Sequence, residues 1–251
     1  RHLHGQPLGF NSQEIPDGVS PARASGDVRV VTGSSTDLET VWKIREESIY
    51  PDFFGEMSRG IFPLSSEVFA SYEVDEIDPR WLTHGVFEFG PTASRDSWLY
   101  VTSGYSNPWE LDPNDYDMSE FSGSGVEFLM ETNQQANWAI KLLLRMLAFD
   151  MLLAAGRIGA GAPLGLNDRI PLRAPVDGRE ESMVRNLIVA EPTKVPHEFK
   201  LPSGKVGLLE LVGVTDPELA FAKANSTFDL VEILKSKQSF PTTVPNRVSV
   251  V

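Results

Sequence analysis

SWLYVTSGYSNPWELDPNDYDMSEFSGSGVEFLMETNQQANWAIKLLLRMLAFDM, residues 97–151, holds the pattern on which the fold turns. In SWLYVTSG (97–104), Trp98 and Tyr100 point one way and Leu99 and Val101 the other. Both faces are apolar, which predicts a central strand. SGVEFLMET (124–132) predicts a second strand. From about Asn133 the period changes. Gln134, Asn137, Lys141 and Arg145 form one polar stripe on an otherwise apolar segment, as in a long core helix. Trp138, Leu142 and Leu153 are its expected core contacts.

Working outward, HGVFEF (84–89) reads as a strand before this segment, and RNLIVAE (185–191) and KVGLLELVGV (205–214) as strands after it. DVRVVTG (27–33) alternates like a short strand. STDLETVWKIREESIY (35–50) follows as an amphipathic helix, with Thr36 and Glu39 at capping-box spacing. TDPE (215–218) and STFD (226–229) are two helix starts, with Pro217 placed for a first turn. Residues 1–26 are rich in Gly, Pro, Ser and Gln and read as an arm; 51–80 show no usable period. The expectation is one α+β domain over 27–251, with a mixed sheet packed against helices.

Composition narrows the function. A chain of 251 residues with 41% hydrophobic and 23% charged residues can bury a core. Its 22 basic against 35 acidic residues give a net charge of −13. Such a protein repels phosphate backbones and anionic bilayers, so nucleic-acid and membrane binding are excluded as first readings and a basic protein partner is favoured. There is no cysteine, hence no disulfide, thiol chemistry or cysteine-bound zinc. The four histidines show no HExxH-type spacing. Lys141, Arg145 and Asp150 interrupt the apolar run 137–156, which argues for a buried helix and against a span. The chain begins at Arg1 without a signal-peptide pattern, and a cytoplasmic location is the expectation. No motif specifies an oligomeric state.

The motifs carry little chemistry of their own. WELDPNDYDMSEFSG (109–123) holds Glu110, Asp112, Asp115, Asp117 and Glu120 and no basic residue. As a calcium loop it fails: Pro113 and Tyr116 intrude, the sixth position is Asp117 where glycine is needed, and the twelfth is Gly123. Acids on one loop do not form the opposed pair of a glycosidase. A solvated loop or an acidic lip for a partner remain. GRIGAGAPLG (156–165) follows a helix where a phosphate loop would precede one, so Gly156 reads as a helix stop. FSGSGVEF (121–128) lacks a nucleophile elbow's spacing, and Asn225-Ser226-Thr227 reads as a helix cap. Asp150 and Glu210 sit on apolar faces, each a functional carboxylate or, the favoured reading, a structurally satisfied one. No catalytic, cofactor or metal constellation assembles.

The same segments resemble the suppressor of fused family. SWLYVTSGYSN is similar to that family's aromatic strand running into S-x-G-x-S-D, and SGSGVEFLMET to its S-G-x-G-x-E-L-T-F strand. NWAIKLLLRMLAFDM resembles its tryptophan-led helix and GLNDRIPLRAPVDG its G-D-x-V…P-L-D segment. MVRNLIVAEP and GKVGLLELVGVTDPEL resemble the strand pair before its penultimate helix. The resemblance runs collinearly over about 81–236. It implies an α+β domain, a mixed and largely antiparallel sheet packed with helices, without enzymatic activity. It also implies a protein or peptide partner. Animal members grip a peptide between two domains; bacterial members are commonly single-domain and have been proposed as immunity proteins. Tyr100 falls on a position that contributes to the family's peptide site. Asn107 replaces its aspartate, Asp168 matches the aspartate of its G-D-x-V segment, and Glu210 stands where animal members carry glutamine. The expected working surface is Tyr100, Tyr105, Asn107 and Trp109, bordered by Glu110, Asp112, Asp115 and Asp117. The resulting expectation is a non-catalytic, bacterial immunity-type or sequestering protein. The alternatives are a metal-assisted hydrolase using Asp150, Glu210 or the acidic loop, and a degenerate scaffolding subunit.

Overall fold

The structure is a computed structural model that describes residues 35–74, 76–159 and 161–251. The strand expected at 27–33, the arm 1–26 and the side chain of Thr36 lie outside the described residues. The first helical stretch is longer than its amphipathic pattern suggests. Helix α1 (Ser35–Lys43) passes through a π-helical stretch (Ile44–Ile49) into α2 (Tyr50–Phe54). Residues 51–80, unreadable by period, form the end of this stretch, strand β1 (Met57–Pro63), helix α3 (Ser66–Ala70) and the start of a 3-10 turn (Pro79–Thr83).

The central segment folds as its patterns predict. Strands β2 (Gly85–Phe89), β3 (Trp98–Ser103) and β4 (Phe121–Thr132) precede helix α4 (Asn137–Ala154). Strands β5 (Arg169–Pro171), β6 (Val184–Ala190), β7 (Glu198–Leu201) and β8 (Gly204–Thr215) follow, then helices α5 (Asp216–Ala224) and α6 (Thr227–Ser236). The strand order is β1-β2-β3-β4-β8-β6-β5, with β7 paired to the first residues of β8. Of these strand pairings among the described residues, β4–β8 alone is parallel, so the sheet is mixed and largely antiparallel.

Two-sided apolar strands demand cover on both faces. One face carries Tyr100, Phe128, Met130, Leu209 and Leu211 and is covered by α4 through Leu142, Leu143, Met146 and Leu147. The other carries Leu99, Val101, Leu129 and Leu208 beneath Val41, Tyr50 and Phe54 of the helical stretch 35–54. Farther along it carries Ile188, Val212 and Val214, packed with Leu219, Leu230 and Leu234 of α5 and α6. Leu142 and Leu153 are buried as expected, whereas Trp138 is only partly so.

Strand parity places Glu131 and Glu210 between these last two clusters. Glu131 accepts hydrogen bonds from Ser97 and from Lys194 Nζ at 2.9 Å. Neither carboxylate oxygen of Glu210 has a partner. Burial first, and the charge of Glu131 second, push its pKa well above the usual carboxylate range.

The helix ends follow local chemistry. Gly156, at φ +67°, closes α4 with its N–H on Leu153 O at 3.0 Å, while the N–H of Arg157 reaches Leu152 O at 2.8 Å. This is a Schellman stop. Glu218 accepts the Thr215 N–H at 2.8 Å at the start of α5, and Ser226 Oγ accepts the Asp229 N–H at 3.0 Å at the start of α6. No helix among the described residues is long and apolar enough to cross a membrane.

Candidate protein-binding site

The site begins with a buried carboxylate. Glu127 on β4 is fully enclosed and collects Thr102 Oγ1 at 2.6 Å, the Gly104 N–H at 3.1 Å, the Ser106 N–H at 2.9 Å and Ser106 Oγ at 2.7 Å. These four donors lie on alternate residues, Thr102, Gly104 and Ser106, from the end of β3 into the turn after it, so one side chain folds that turn around itself. Arg45 supplies the counter-charge, with Nη1 3.9 Å from Glu127. It also donates to Ser103 Oγ at 3.0 Å, Ser106 Oγ at 3.1 Å and Asn107 Oδ1 at 2.9 Å. Trp42 Nε1 adds a second bond to the same Asn107 oxygen at 2.9 Å. Gly123, at φ +55°, passes so close that a Cβ would stand 2.5 Å from Asn107 O, so only glycine fits where β4 crosses the turn.

Beyond the turn, the chain lines a cleft of about 570 Å³ at the C-terminal end of α4. Trp81, His84, Tyr105, Pro108, Trp109, Phe121 and Met151 form its walls, with Arg80 and Glu110 at its mouth. Phe121 is 67% exposed and Leu111 and Met118 are also exposed nearby in the chain, an apolar fringe that a solvated loop does not require. Arg80 is neutralised by Asp78 and Glu110, each at 2.6 Å, which leaves the border negative. His84 is buried, its Nδ1 2.9 Å from Trp81 O, and burial lowers its pKa. Tyr105 turns its hydroxyl inward, donating to Asp150 Oδ2 at 2.7 Å.

Of the expected surface residues, the cleft gathers Tyr105, Asn107, Trp109 and Glu110. Tyr100 does not belong with them. It is fully buried under α4, where its hydroxyl oxygen accepts the Ala136 N–H at 2.6 Å. A strand covered on both faces has no side chain to offer a partner. Asn107 reaches the cleft wall but is only 2% exposed, because Arg45 and Trp42 draw it inward.

Asp112, Asp115 and Asp117 stand on the exposed loop and do not line the cleft. Two of them shape that loop. Asp112 accepts the Asn114 N–H at 2.9 Å at the start of a 3-10 turn (Pro113–Asp115), and Asp117 accepts the Ser119 N–H at 2.7 Å. Asp150 also has a structural place, taking the Leu164 N–H at 2.6 Å besides Tyr105, and burial raises its pKa to about 6. Asp168 accepts the Gly165 N–H at 2.9 Å. Among the described residues no three His, Asp or Glu side chains converge as a metal site.

The suppressor of fused protein profile matches residues 81–248, which include the cleft's walls, Glu127 and α4. The chain belongs to the suppressor of fused family. The match extends the resemblance past residue 236 into the C-terminal tail. Solved suppressor of fused structures share the fold. The Drosophila protein superposes with a TM-score of 0.52 at 21% identity over 66% of this chain. This chain spans only 42% of that protein's length. A homolog from Neisseria gonorrhoeae gives 0.58 at 18% identity over 86% of this chain and 98% of its own. A chain from the Sufu–Fu complex gives 0.58 at 19%, over 87% and 92%. No curated protein sequence matches.

Sequence reasoning missed Arg45, Glu127 and His84. Glu127 left one signal, an acid inside an apolar strand that follows Thr102, Gly104 and Ser106 at two-residue spacing. Arg45 left none, since Ser103, Ser106, Asn107 and Glu127, which hold it inside the fold, lie about sixty to eighty residues away in the sequence.

Proposed function

We propose that this suppressor of fused domain is a non-catalytic binding module that sequesters a basic protein or peptide, the whole domain comprising residues 27–251. The observation that carries this reading is a cleft walled by aromatic rings, with exposed Phe121 and Leu111 and the acid Glu110 at its edge, and the exposed acids Asp112, Asp115 and Asp117 on the loop that continues from it. Aromatic anchors in a partly desolvated recess supply affinity, and a charged border accelerates encounter. Family membership supports a protein partner.

The finer reading is an immunity-type role in a bacterial cytoplasm, the partner being a toxin. Co-expression with the product of a neighbouring open reading frame tests it: growth rescued by the wild-type chain and lost with Trp109→Ala supports the role. A neighbouring product that is harmless alone counts against it. A metal-dependent hydrolase would bind its ion in the native state and gain stability by mass action. The binding module predicts melting temperatures unchanged by EDTA or by added divalent ions.

A further inference from the structure

Six buried side-chain polar atoms among the described residues lack a hydrogen-bond partner, and two of them belong to the same cleft wall: Asn107 Nδ2 and Trp109 Nε1. Buried donors are nearly always paired, so two orphans one residue apart in sequence mark a place built for something else. The orientation of the Asn107 amide is fixed. Its oxygen already accepts from Trp42 Nε1 and Arg45 Nη1, both at 2.9 Å, and a flipped amide would set its NH2 group against those two donors. The indole nitrogen of Trp109 is a donor and nothing else.

We infer that these two N–H groups receive a main-chain carbonyl of the bound partner, a basic peptide segment whose apolar side chain enters the cleft. The inference rests on the binding-module reading above and adds its recognition chemistry. Donors alone would suit an anion equally well. The border decides against one: Arg80 is spent on Asp78 and Glu110, and Asp112, Asp115 and Asp117 stand beyond it. A carboxylate or phosphate would meet repulsion on approach, whereas a neutral carbonyl flanked by lysine or arginine satisfies both the donors and the acids. Pairing these donors with a backbone atom would also fix the register of the segment, which charge alone does not.

The test uses the full chain and a positional-scanning library of acetylated, amidated hexapeptides, each with two basic residues and one aromatic or leucine. Binding is read by fluorescence polarisation. The tightest peptide is then remade with single ester linkages, which weaken one main-chain carbonyl as an acceptor at a time. Trp109→Phe, which keeps the ring and removes the donor, should weaken binding about 3- to 10-fold, the value of one net hydrogen bond. Asn107→Asp, which keeps the acceptor for Arg45 and removes the donor, should weaken it at least as much. One ester position should weaken the wild type and have no further effect in Trp109→Phe, and the Trp109 indole proton should move downfield in NMR spectra of the complex. If Trp109→Phe fails to melt cooperatively, Asn107→Asp and the indole shift decide.

Wild-type affinity in both variants, or an ester effect of equal size in Trp109→Phe, overturns the inference. If Asp112→Asn, Asp115→Asn and Asp117→Asn together still weaken that peptide, the binding surface stands and only its carbonyl contact falls. If no peptide binds, both fall.

Discussion

Glu127 is fully buried and gathers four donors, so removing its charge weakens bonds that water cannot replace, while Arg45 keeps Glu46 at 3.1 Å. Glu127→Gln should cost about 1 to 3 kcal/mol in urea denaturation, the usual cost of leaving buried donors unsatisfied. A loss under about 1 kcal/mol would show that the turn holds itself. Asp150 behaves in the opposite way. Its pKa is raised by burial from 3.8 to about 6, so the native state binds the proton more tightly than the unfolded chain. That contribution is complete below about pH 4 and is lost as the pH rises through 6. Between pH 4 and pH 7.5, the stability of Asp150→Asn relative to wild type should therefore improve by about 2 kcal/mol. Glu210, raised in the same direction, adds to the wild-type decline as the pH rises from the usual carboxylate range, and Glu210→Gln should lessen it. Thermal melts across pH read both; a parallel pair of curves would remove the assigned cause. At this scale the sequence was half legible. The acids on apolar faces stood out, but their partners are set by tertiary contacts such as Tyr105 and Leu164, which no local pattern encodes.

Helix α4 lies against β3 and β4 and fixes the rear of the cleft through Met151 and Ala154. Leu142→Ala should cost about 2 to 5 kcal/mol, the transfer term plus the cavity left behind. Gly156→Ala isolates a different quantity. A Cβ there meets nothing within 4 Å, so only the left-handed backbone is penalised. The expected loss is about 1 to 2 kcal/mol, read as a shifted urea midpoint at constant slope. A larger loss would mean that the stop also sets the cleft's shape. Elements of this kind were legible because their signals are periodic or terminal: two-sided apolar strands, a long stripe, a glycine stop, a serine cap. The three-residue β5 and four-residue β7 were not, since a strand so short has no period to display and owes its existence to the neighbour it pairs with. Strand β1 was hidden for a related reason: it is irregular, with register shifts against β2.

For the whole molecule, net charge and its placement govern encounter. Neutralising Asp112, Asp115 and Asp117 together should slow association with a basic partner and flatten its dependence on salt, while Trp109→Ala should mainly raise the dissociation rate. Stopped-flow measurements at two ionic strengths separate the two; equal effects of both changes on association would refute the division of labour. The acidic balance that led to this reading was visible from composition, and the cleft was not, because it forms where the end of α4 meets a turn folded by Glu127. The parallel β4–β8 pairing has a consequence of another kind. Val126 on β4 lies beside Gly207 on β8, so during synthesis β4 must wait for α4, β5, β6 and β7 to emerge before its neighbour exists. At ribosomal rates this interval is on the order of ten seconds. Throughout it, the inner half of β4, with Val126, Phe128, Leu129 and Met130, presents an open edge in a crowded cell. Output of folded protein from this chain will therefore track the supply of chaperones that mask such edges.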